Sequence, residues 1–302
     1  MSRDGEYERV LLMRRLLRGL FLVVCSVWAA SYFGMLHPVG DSLAVFRIWF
    51  IGLAALLALL GRNWFVACVV ATIGVMPFAR ELLVEDRTQG TQSYRLYQKN
   101  LSFRLSDPEP ILADIKATAP DAVFLQELDD ENLAVLEALR ADYLSTSFCT
   151  SHRLVGGVAV LSKWPMIEGS EHCVEGDGLV AIRVESPEGP VWLVSIHWFW
   201  PYPHGQAKQA ARHQEILASL DGPVFIGGDF NMVRGSHVIR QLTAVTRTHR
   251  PGPIRATFYL EDMVPISIDH VFAPRWFNGR VERRDKLGSD HLGLLAEVNP
   301  ND

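Results

Sequence analysis

Three stretches without a charged side chain dominate the first quarter of this chain: residues 19 to 36, 48 to 60 and 63 to 79. Crossing a bilayer as a helix takes about 20 mostly apolar residues, so the first run predicts a transmembrane segment directly. The second does so if it starts near Leu43 and carries Arg47 near one end. The third, Trp64 to Phe78, is short enough to leave a re-entrant or interfacial segment open. We read residues 1–18 as a basic leader, 19–79 as a membrane anchor of three transmembrane segments, and 80–93 as a polar linker without periodicity. A basic start, an apolar run and the small residues Ala29, Ala30 and Ser31 also fit a signal peptide. The run continues to Leu36 with further apolar segments behind it, which favours an anchor.

From Tyr94 onward the pattern changes to short alternating elements. Tyr94 to Gln98 reads as a strand, and Pro108 with Pro110 opens a helix carrying Ile111, Leu112 and Ile115 on one face. Ala122 to Leu125 gives a second strand, and Asp129 to Arg140 a second helix with Leu133, Leu136 and Leu139 as its apolar stripe. Extended segments follow at Thr146 to Cys149, Gly157 to Ser162, Glu171 to Val174, Leu179 to Val184 and Val191 to His197, separated by Gly, Pro and Asp turns. A long helix over Gln206 to Leu220 leads to a strand at Val224 to Ile226, a short helix to about Val245, and strands at Ile266 to Phe272 and Leu292 to Val298. This order predicts an α/β domain over residues 94–302, with two mixed sheets packed face to face and helices outside.

Charge adds an orientation. Arg3, Arg9, Arg14, Arg15 and Arg18 precede the first apolar run, and the loop from Pro38 to Ser42 has no Lys or Arg, so the N-terminus is expected in the cytoplasm. Three crossings would deliver everything after residue 80 to the periplasm or exterior of a bacterial cell, and two would leave it inside. At roughly 3.3 Å per residue at most, the linker keeps the domain within a few nanometres of the bilayer. From residue 80 onward 30 acidic residues outnumber 22 basic ones. That balance counts against a protein tracking long nucleic acid, and no stable nucleic-acid partner is expected. Cys25 and Cys68 fall in apolar runs as small hydrophobes, whereas Cys149 and Cys173 either pair or remain thiols according to compartment. No cysteine spacing resembles a zinc site.

Candidate chemistry centres on Gly227-Gly228-Asp229-Phe230-Asn231, where an apolar strand ends in two glycines and then a carboxylate and a carboxamide. A carboxylate can orient or deprotonate an attacking water, and an amide can donate to a phosphate oxygen without adding charge. Five further places put polar groups at the ends of apolar strands: Asn100, Glu127, His197, Asp269 with His270, and Asp290 with His291. Any one of them has an ordinary structural role available, as a turn residue, a cap partner or a core histidine. Sheets sharing an edge bring all six into one cleft.

In order and spacing these motifs resemble the endonuclease/exonuclease/phosphatase superfamily, the deoxyribonuclease I-like metal-dependent phosphoesterases. The matching stretches are Lys99-Asn100, Leu125-Gln126-Glu127-Leu128, Gly156 to Ser162, Ser195-Ile196-His197, Gly228-Asp229-Phe230-Asn231, Ile268-Asp269-His270-Val271 and Gly288-Ser289-Asp290-His291. The resemblance covers nearly all of Tyr94 to Val298 and implies a four-layered α/β sandwich. It implies a Mg²⁺ or Mn²⁺ ion held chiefly by Glu127 with Asn100 beside it, and Asp290 as a second possible ligand. Asp229 would position or deprotonate water, Asn231 would hold a phosphate oxygen, and His197 and His291 would stabilise charge on the phosphoryl group. Asp269 would orient His291 and keep it protonated, while His270 is read as structural.

Two stretches bear on substrate. Trp198, Phe199, Trp200, Pro201, Tyr202, Pro203 and His204 follow His197 directly, either as a self-packed loop or as rings that enter a lipid interface. Trp198, Trp200 and Tyr202 are the candidate contacts. Arg234 to Arg255 has no acidic residue in a domain otherwise acidic, and is either a solvated face or a grip on a second phosphate, with Arg234 nearest the site. In layout the chain resembles a membrane-anchored bacterial branch of the superfamily implicated in glycopeptide resistance. The expected function is hydrolysis of a phosphate ester or pyrophosphate of a lipid or lipid-linked envelope intermediate at the outer membrane face, with membrane lipids as partners. A periplasmic or extracellular nuclease acting on single-stranded or short nucleic acid is the alternative.

Overall fold

The computed structural model describes residues 3–82, 93–151 and 156–301, and the chain divides into two units, residues 1–83 and 84–302. The first unit holds four helices: α1 (Arg3–Ala30), α2 (Val39–Val45), α3 (Arg47–Leu60) and α4 (Trp64–Leu82). The apolar runs and the helices do not coincide. α1 begins inside the basic leader and ends at Ala30, so the last part of the first run forms turns. Arg47 accounts for that end: it is buried, donates from Nε to Ser31 Oγ (3.0 Å) and from Nη2 to Ser31 O (2.5 Å), and lies 4.1 Å from the centre of the Tyr32 ring. A cation there complements the negative end of the α1 dipole. The second run is broken at Phe46, where α2 and α3 bend by 69°. Among the described residues no single helix is long and apolar enough to cross a membrane, although the bent α2–α3 pair passes that test together. The predicted linker starts late, because α4 runs on to Leu82, and its residues 83–92 lie outside the described residues. Val24, Ala54, Leu57 and Val70 pack α1, α3 and α4 together, while Leu22, Phe65, Ile73 and Met76 face outward.

The second unit contains, in order, β1 (Tyr94–Asn100), α5 (Glu109–Thr118), β2 (Ala122–Leu128), α6 (Ala134–Leu139), β3 (Ser145–Cys149), β4 (Gly157–Ser162), β5 (His172–Val174), β6 (Leu179–Ser186), β7 (Gly189–His197), α7 (Gln206–Ser219), β8 (Val224–Asp229), α8 (His237–Val245), β9 (Thr248–His249), β10 (Phe258–Leu260), β11 (Val264–Ile266), β12 (Asp269–Pro274), β13 (Phe277–Arg283) and β14 (Leu294–Pro300). One six-stranded sheet runs β13-β14-β1-β2-β4-β3, a second runs β5-β6-β7-β8-β12-β9, and β10 with β11 forms a separate hairpin. Each large sheet has one parallel pair near its centre, β1 with β2 and β7 with β8. A helix crosses over between the two members of each pair, α5 in one sheet and α7 in the other. The carboxyl ends of these four strands are where such a fold collects ligand-binding groups.

Alternation along the strands builds the layers. Leu96, Phe124, Val160, Ile182, Leu193, Phe225, Val271 and Ala296 fill the space between the sheets. Tyr97, Val123, Leu125 and Leu161 point the other way and bury Ile111, Ile115, Leu136 and Leu139 of α5 and α6. On the outer face of the second sheet, Gln206 and Gln209 of α7 donate to the backbone oxygens of Phe199, Phe230 and His197. The helix expected from Asp129 starts only at Ala134, because Asn132 holds the preceding turn open. Its Oδ1 accepts from Asp129 N, and its Nδ2 donates to Glu127 O (2.7 Å) and Ser102 O (3.1 Å).

One glycine and one covalent bond bring the sheets close, and a second glycine lets β8 pair tightly with β7. A Cβ on Gly227 would sit 2.3 Å from the Phe124 ring, and one on Gly228 would sit 2.2 Å from Ile196 O, so only glycine fits at either place. Cys149, on an edge strand of one sheet, is bonded to Cys173, on an edge strand of the other, with the Cα atoms 5.4 Å apart. The bridge closes a loop with a sequence separation of 24, which by loop entropy stabilises the fold by about 3 kcal/mol. Replacing both cysteines by alanine is expected to lower the unfolding midpoint of the full chain in detergent by roughly 10 °C. A midpoint unchanged by the substitution and by reductant would contradict the bridge.

Candidate active site

The bulge in β2 aims the first site residue. Pairing between β2 and β4 shifts register between Gln126 and Leu128, and Glu127 takes a positive φ of 60° that turns its side chain into the cleft. Gly156, just before β4, makes this possible, since a Cβ there would lie 2.4 Å from Leu128 O. From the second sheet, register places His197 opposite Asp229 on β7 and β8, and Asp229 opposite Asp269 on β8 and β12. Three site residues therefore stand side by side on three adjacent strands.

The groups meet at hydrogen-bonding or near-contact distance. Asn100 Nδ2 bridges Glu127 Oε1 (2.9 Å) and Asp229 Oδ2 (3.0 Å), while its Oδ1 accepts from Ser102 N. Glu127 Oε2 accepts from Phe103 N, and Asp229 Oδ1 accepts from Asn231 N (2.8 Å). His197 Nε2 lies 3.7 Å from both Glu127 Oε1 and Asp229 Oδ2. His291 Nδ1 contacts Asp269 Oδ2 at 2.9 Å, and its Nε2 faces Asp229 Oδ2 at 3.7 Å. The loop carrying His291 is held by Lys99, whose buried Nζ donates to the carbonyls of Asp285, Lys286 and His291, and by Ser289, whose Oγ donates to Asn100 O.

Electrostatics separates these groups into distinct states. Burial, then repulsion from Asp269, raises Asp229 to about 8, so it holds a proton at neutral pH. Burial opposes charge on His291, but the charge and hydrogen bond of Asp269 lead the groups that override it and raise the ring to about 10, leaving it an imidazolium. Burial also opposes charge on Asp269, yet its contacts with His291, Thr257 and Gln98 keep its carboxyl below the ordinary range. His197 is lowered by burial against the pull of Glu127 and is neutral. The cleft thus holds a cationic ring beside a carboxylate, a neutral ring, and an acid that burial and the neighbouring Asp269 raise despite the opposing pull of His291.

Several sequence expectations shift in detail. Asn100 turns its NH2 toward the two carboxylates, so in this conformation it braces them rather than offering an oxygen to a metal. Asp290 is exposed and belongs to neither cluster of closely spaced ligand atoms, which are Glu127, His197, Asp229 and Asp229, Asp269, His291. Asn231 Nδ2 donates to Trp198 O, which commits part of that amide to the loop. Trp198 is buried and faces inward: its Nε1 donates to His213 Nδ1 (3.0 Å), and its ring stands edge-on to Phe230. Trp200 and Tyr202 are 39% and 50% exposed, and Trp200 packs against Phe258, which in turn stands 4.7 Å from the His291 ring. Arg234 adds to the field at His249 and His270, both held down chiefly by burial. His270 is structural, with its Nε2 at Met232 O. Sequence reasoning gave no role to Gln98, Lys99 or Ser195, the last two appearing only as members of the matching stretches.

A divalent cation fits this donor set. Glu127, His197 and Asp229 offer atoms within 4.8 Å of one another, carboxylate oxygens suit a hard ion, and a positive charge would relieve the crowding that protonates Asp229. Carboxylates around a cation beside an imidazolium form a phosphoester-cleaving site of the two-sheet, metal-dependent class. The chain belongs to the Endonuclease/Exonuclease/phosphatase family, whose profile matches residues 98–291, and it is a metal-dependent phosphoric ester hydrolase. The fold is similar to that of an endonuclease/exonuclease/phosphatase from Beutenbergia cavernae DSM 12333, at 21% identity and a TM-score of 0.56 over 70% of this chain and 72% of that one. It is also similar to SmcL, at 15% identity and a TM-score of 0.53 over 70% and 100% of the two chains. The human Nocturnin catalytic domain is similar at 17% identity and a TM-score of 0.53, over 72% and 97%. No curated protein matches the chain.

Because Asp229 holds its proton up to about pH 8, cation binding at pH 7 is expected to release about one proton and to tighten as pH rises toward that value. Calorimetry of Mn²⁺ binding in two buffers of different ionisation enthalpy measures this. Binding heats independent of the buffer would contradict it.

Proposed function

We propose that this chain is a membrane-anchored phosphoesterase that uses Mg²⁺ or Mn²⁺ to hydrolyse a phosphate ester or pyrophosphate of a lipid or lipid-linked envelope intermediate at the outer face of a bacterial membrane. One observation carries the lipid reading: the exposed ring of Trp200 is joined to His291 through Phe258, and Tyr202, also exposed, follows it two residues on. Aromatic rings of this kind favour the membrane interface. The outward-facing Leu22, Phe65, Ile73 and Met76 of the helical unit support the anchor, as an apolar surface of that kind requires cover. The Cys149–Cys173 bridge supports placement of the domain outside the cytoplasm.

In this reading Glu127 and Asp229 hold the cation, braced by Asn100, and the cation supplies Lewis-acid polarisation of the phosphoryl group when bound. Asp229, freed of its proton, orients the attacking water and can take its proton. His291, kept cationic by Asp269, faces the charge that develops on the phosphoryl oxygens, and neutral His197 lines the same wall. Asn231 fixes Asp229 through its backbone N–H and presents its remaining amide hydrogen at the strand end. The nuclease reading rests on exposed Arg240 and Arg247 in the acid-free stretch that follows.

Product analysis with Mg²⁺ and the full-length protein in detergent tests the proposal, following phosphate release from undecaprenyl pyrophosphate, headgroup release from a phospholipid and shortening of single-stranded DNA. Lipid turnover is expected with DNA untouched, and Glu127→Ala and Asp229→Ala are each expected to lose about 10³-fold. DNA degradation with both lipids intact would replace the proposal with the nuclease.

A further inference from the structure

One layer beneath the cleft, the inter-sheet core turns polar. Gln98 of β1 and Gln126 of β2 occupy positions that Leu96 and Phe124 fill one step earlier on the same strands, and they face Ser195 of β7 and Asp269 of β12. All four side chains are fully buried. Their hydrogen bonds form a chain whose direction is fixed from one end. The backbone oxygen of Leu125 can only accept, so Ser195 Oγ donates to it (3.1 Å) and accepts from Gln126 Nε2 (2.9 Å). Gln126 must then turn its Oε1 to Gln98, which donates to it from Nε2 (2.8 Å) and gives its other amide hydrogen to Asp269 Oδ1 (2.9 Å). Gln98 Oε1 is left buried with no hydrogen-bond partner.

An apolar residue at position 98 would remove that unpaired oxygen but leave Gln126 Oε1 unpaired in its place, so satisfying the core does not by itself call for a glutamine here. What the glutamine adds is a fixed donor on one oxygen of Asp269, whose other oxygen holds His291. We infer that Gln98 is a positioning residue for hydrolysis: its amide, oriented through Gln126 and Ser195, fixes the Asp269 carboxylate and so sets the angle at which His291 meets the phosphoryl group. The inference rests on the phosphoesterase reading of the cleft and places a determinant of its rate in the opposite sheet, two residues before Asn100.

Gln98→Met has nearly the same volume and exchanges one unpaired oxygen, Gln98 Oε1, for another, Gln126 Oε1, so the fold is expected to survive. In the full-length protein in detergent with Mg²⁺, assayed on bis(p-nitrophenyl) phosphate, kcat is expected to fall about 30-fold with KM within a factor of two. In an Asp269→Asn background the same substitution is expected to cost less than about threefold, since the group it acts through is already altered. Leu96→Val, on the same face of β1, controls for loosening of the core and is expected to lower the melting temperature with no coupling to Asp269→Asn. A second readout needs no turnover: the downfield Nδ1–H proton resonance of His291 is expected to sharpen in the wild type and to broaden in Gln98→Met. If Gln98→Met leaves both kcat and that resonance unchanged, or costs as much with Asp269→Asn as without it, the inference is wrong. Should the wild-type protein fail to hydrolyse the ester, the phosphoesterase reading fails by that result, and an unaltered resonance in Gln98→Met would separately overturn the positioning role.

Discussion

Three buried carboxylates, those of Glu127, Asp229 and Asp269, share one cleft, and their mutual repulsion sets the terms for the groups around them. A protein interior cannot hold three uncompensated negative charges at this spacing. The chain answers each differently. Asp269 is paired with His291 and receives N–H groups besides, Asp229 keeps a proton, and Glu127 takes a backbone N–H and half of the Asn100 amide. The first solution produces a permanent imidazolium facing the cleft. The second stores a demand for a cation.

The sandwich makes this crowding possible. Two parallel strand pairs end at the same rim, the glycine at 227 lets the second sheet close against Phe124, and the glycine at 228 leaves room for Ile196 O of the adjacent strand. The positive φ at Glu127 and at Asn231 turns each residue off its strand at the point where the cleft begins. Such conformations cost about 1–3 kcal/mol each and persist where surrounding structure holds them. Gly156 and Asn132 supply that support at Glu127, and Gln206, reaching Phe230 O, supplies it beside Asn231.

Much of this was legible in the sequence, because polar residues at the ends of apolar strands are conspicuous against a periodic background. Strands such as Gly157–Ser162 were read to the residue, and the pairing of Asp269 with His291 followed from the family resemblance. What escaped has physical causes. β13 alternates buried Phe277, Gly279 and Val281 with charged or polar outward positions, but its Arg and Glu residues disguised an edge strand as a loop. The apolar run through residues 19 to 36 hid a helix end, since nothing local announces that a buried arginine from position 47 will satisfy it. Trp198 looked like its exposed neighbours, and its inward turn depends on His213, 15 residues away in sequence. Gln98 carries no signature and Lys99 stood out only as the neighbour of Asn100, because their roles arise only when distant strands and the 285–291 loop fold over them.

The central claim is that the crowded acids form a cation site between the two sheets. The most direct measurement is an anomalous difference map from crystals of the protein soaked in Mn²⁺. The account predicts a single strong peak at about 2.0–2.4 Å from carboxylate oxygens of both Glu127 and Asp229. A map empty at that position, or a peak held only by exposed residues such as Asp290, would contradict it.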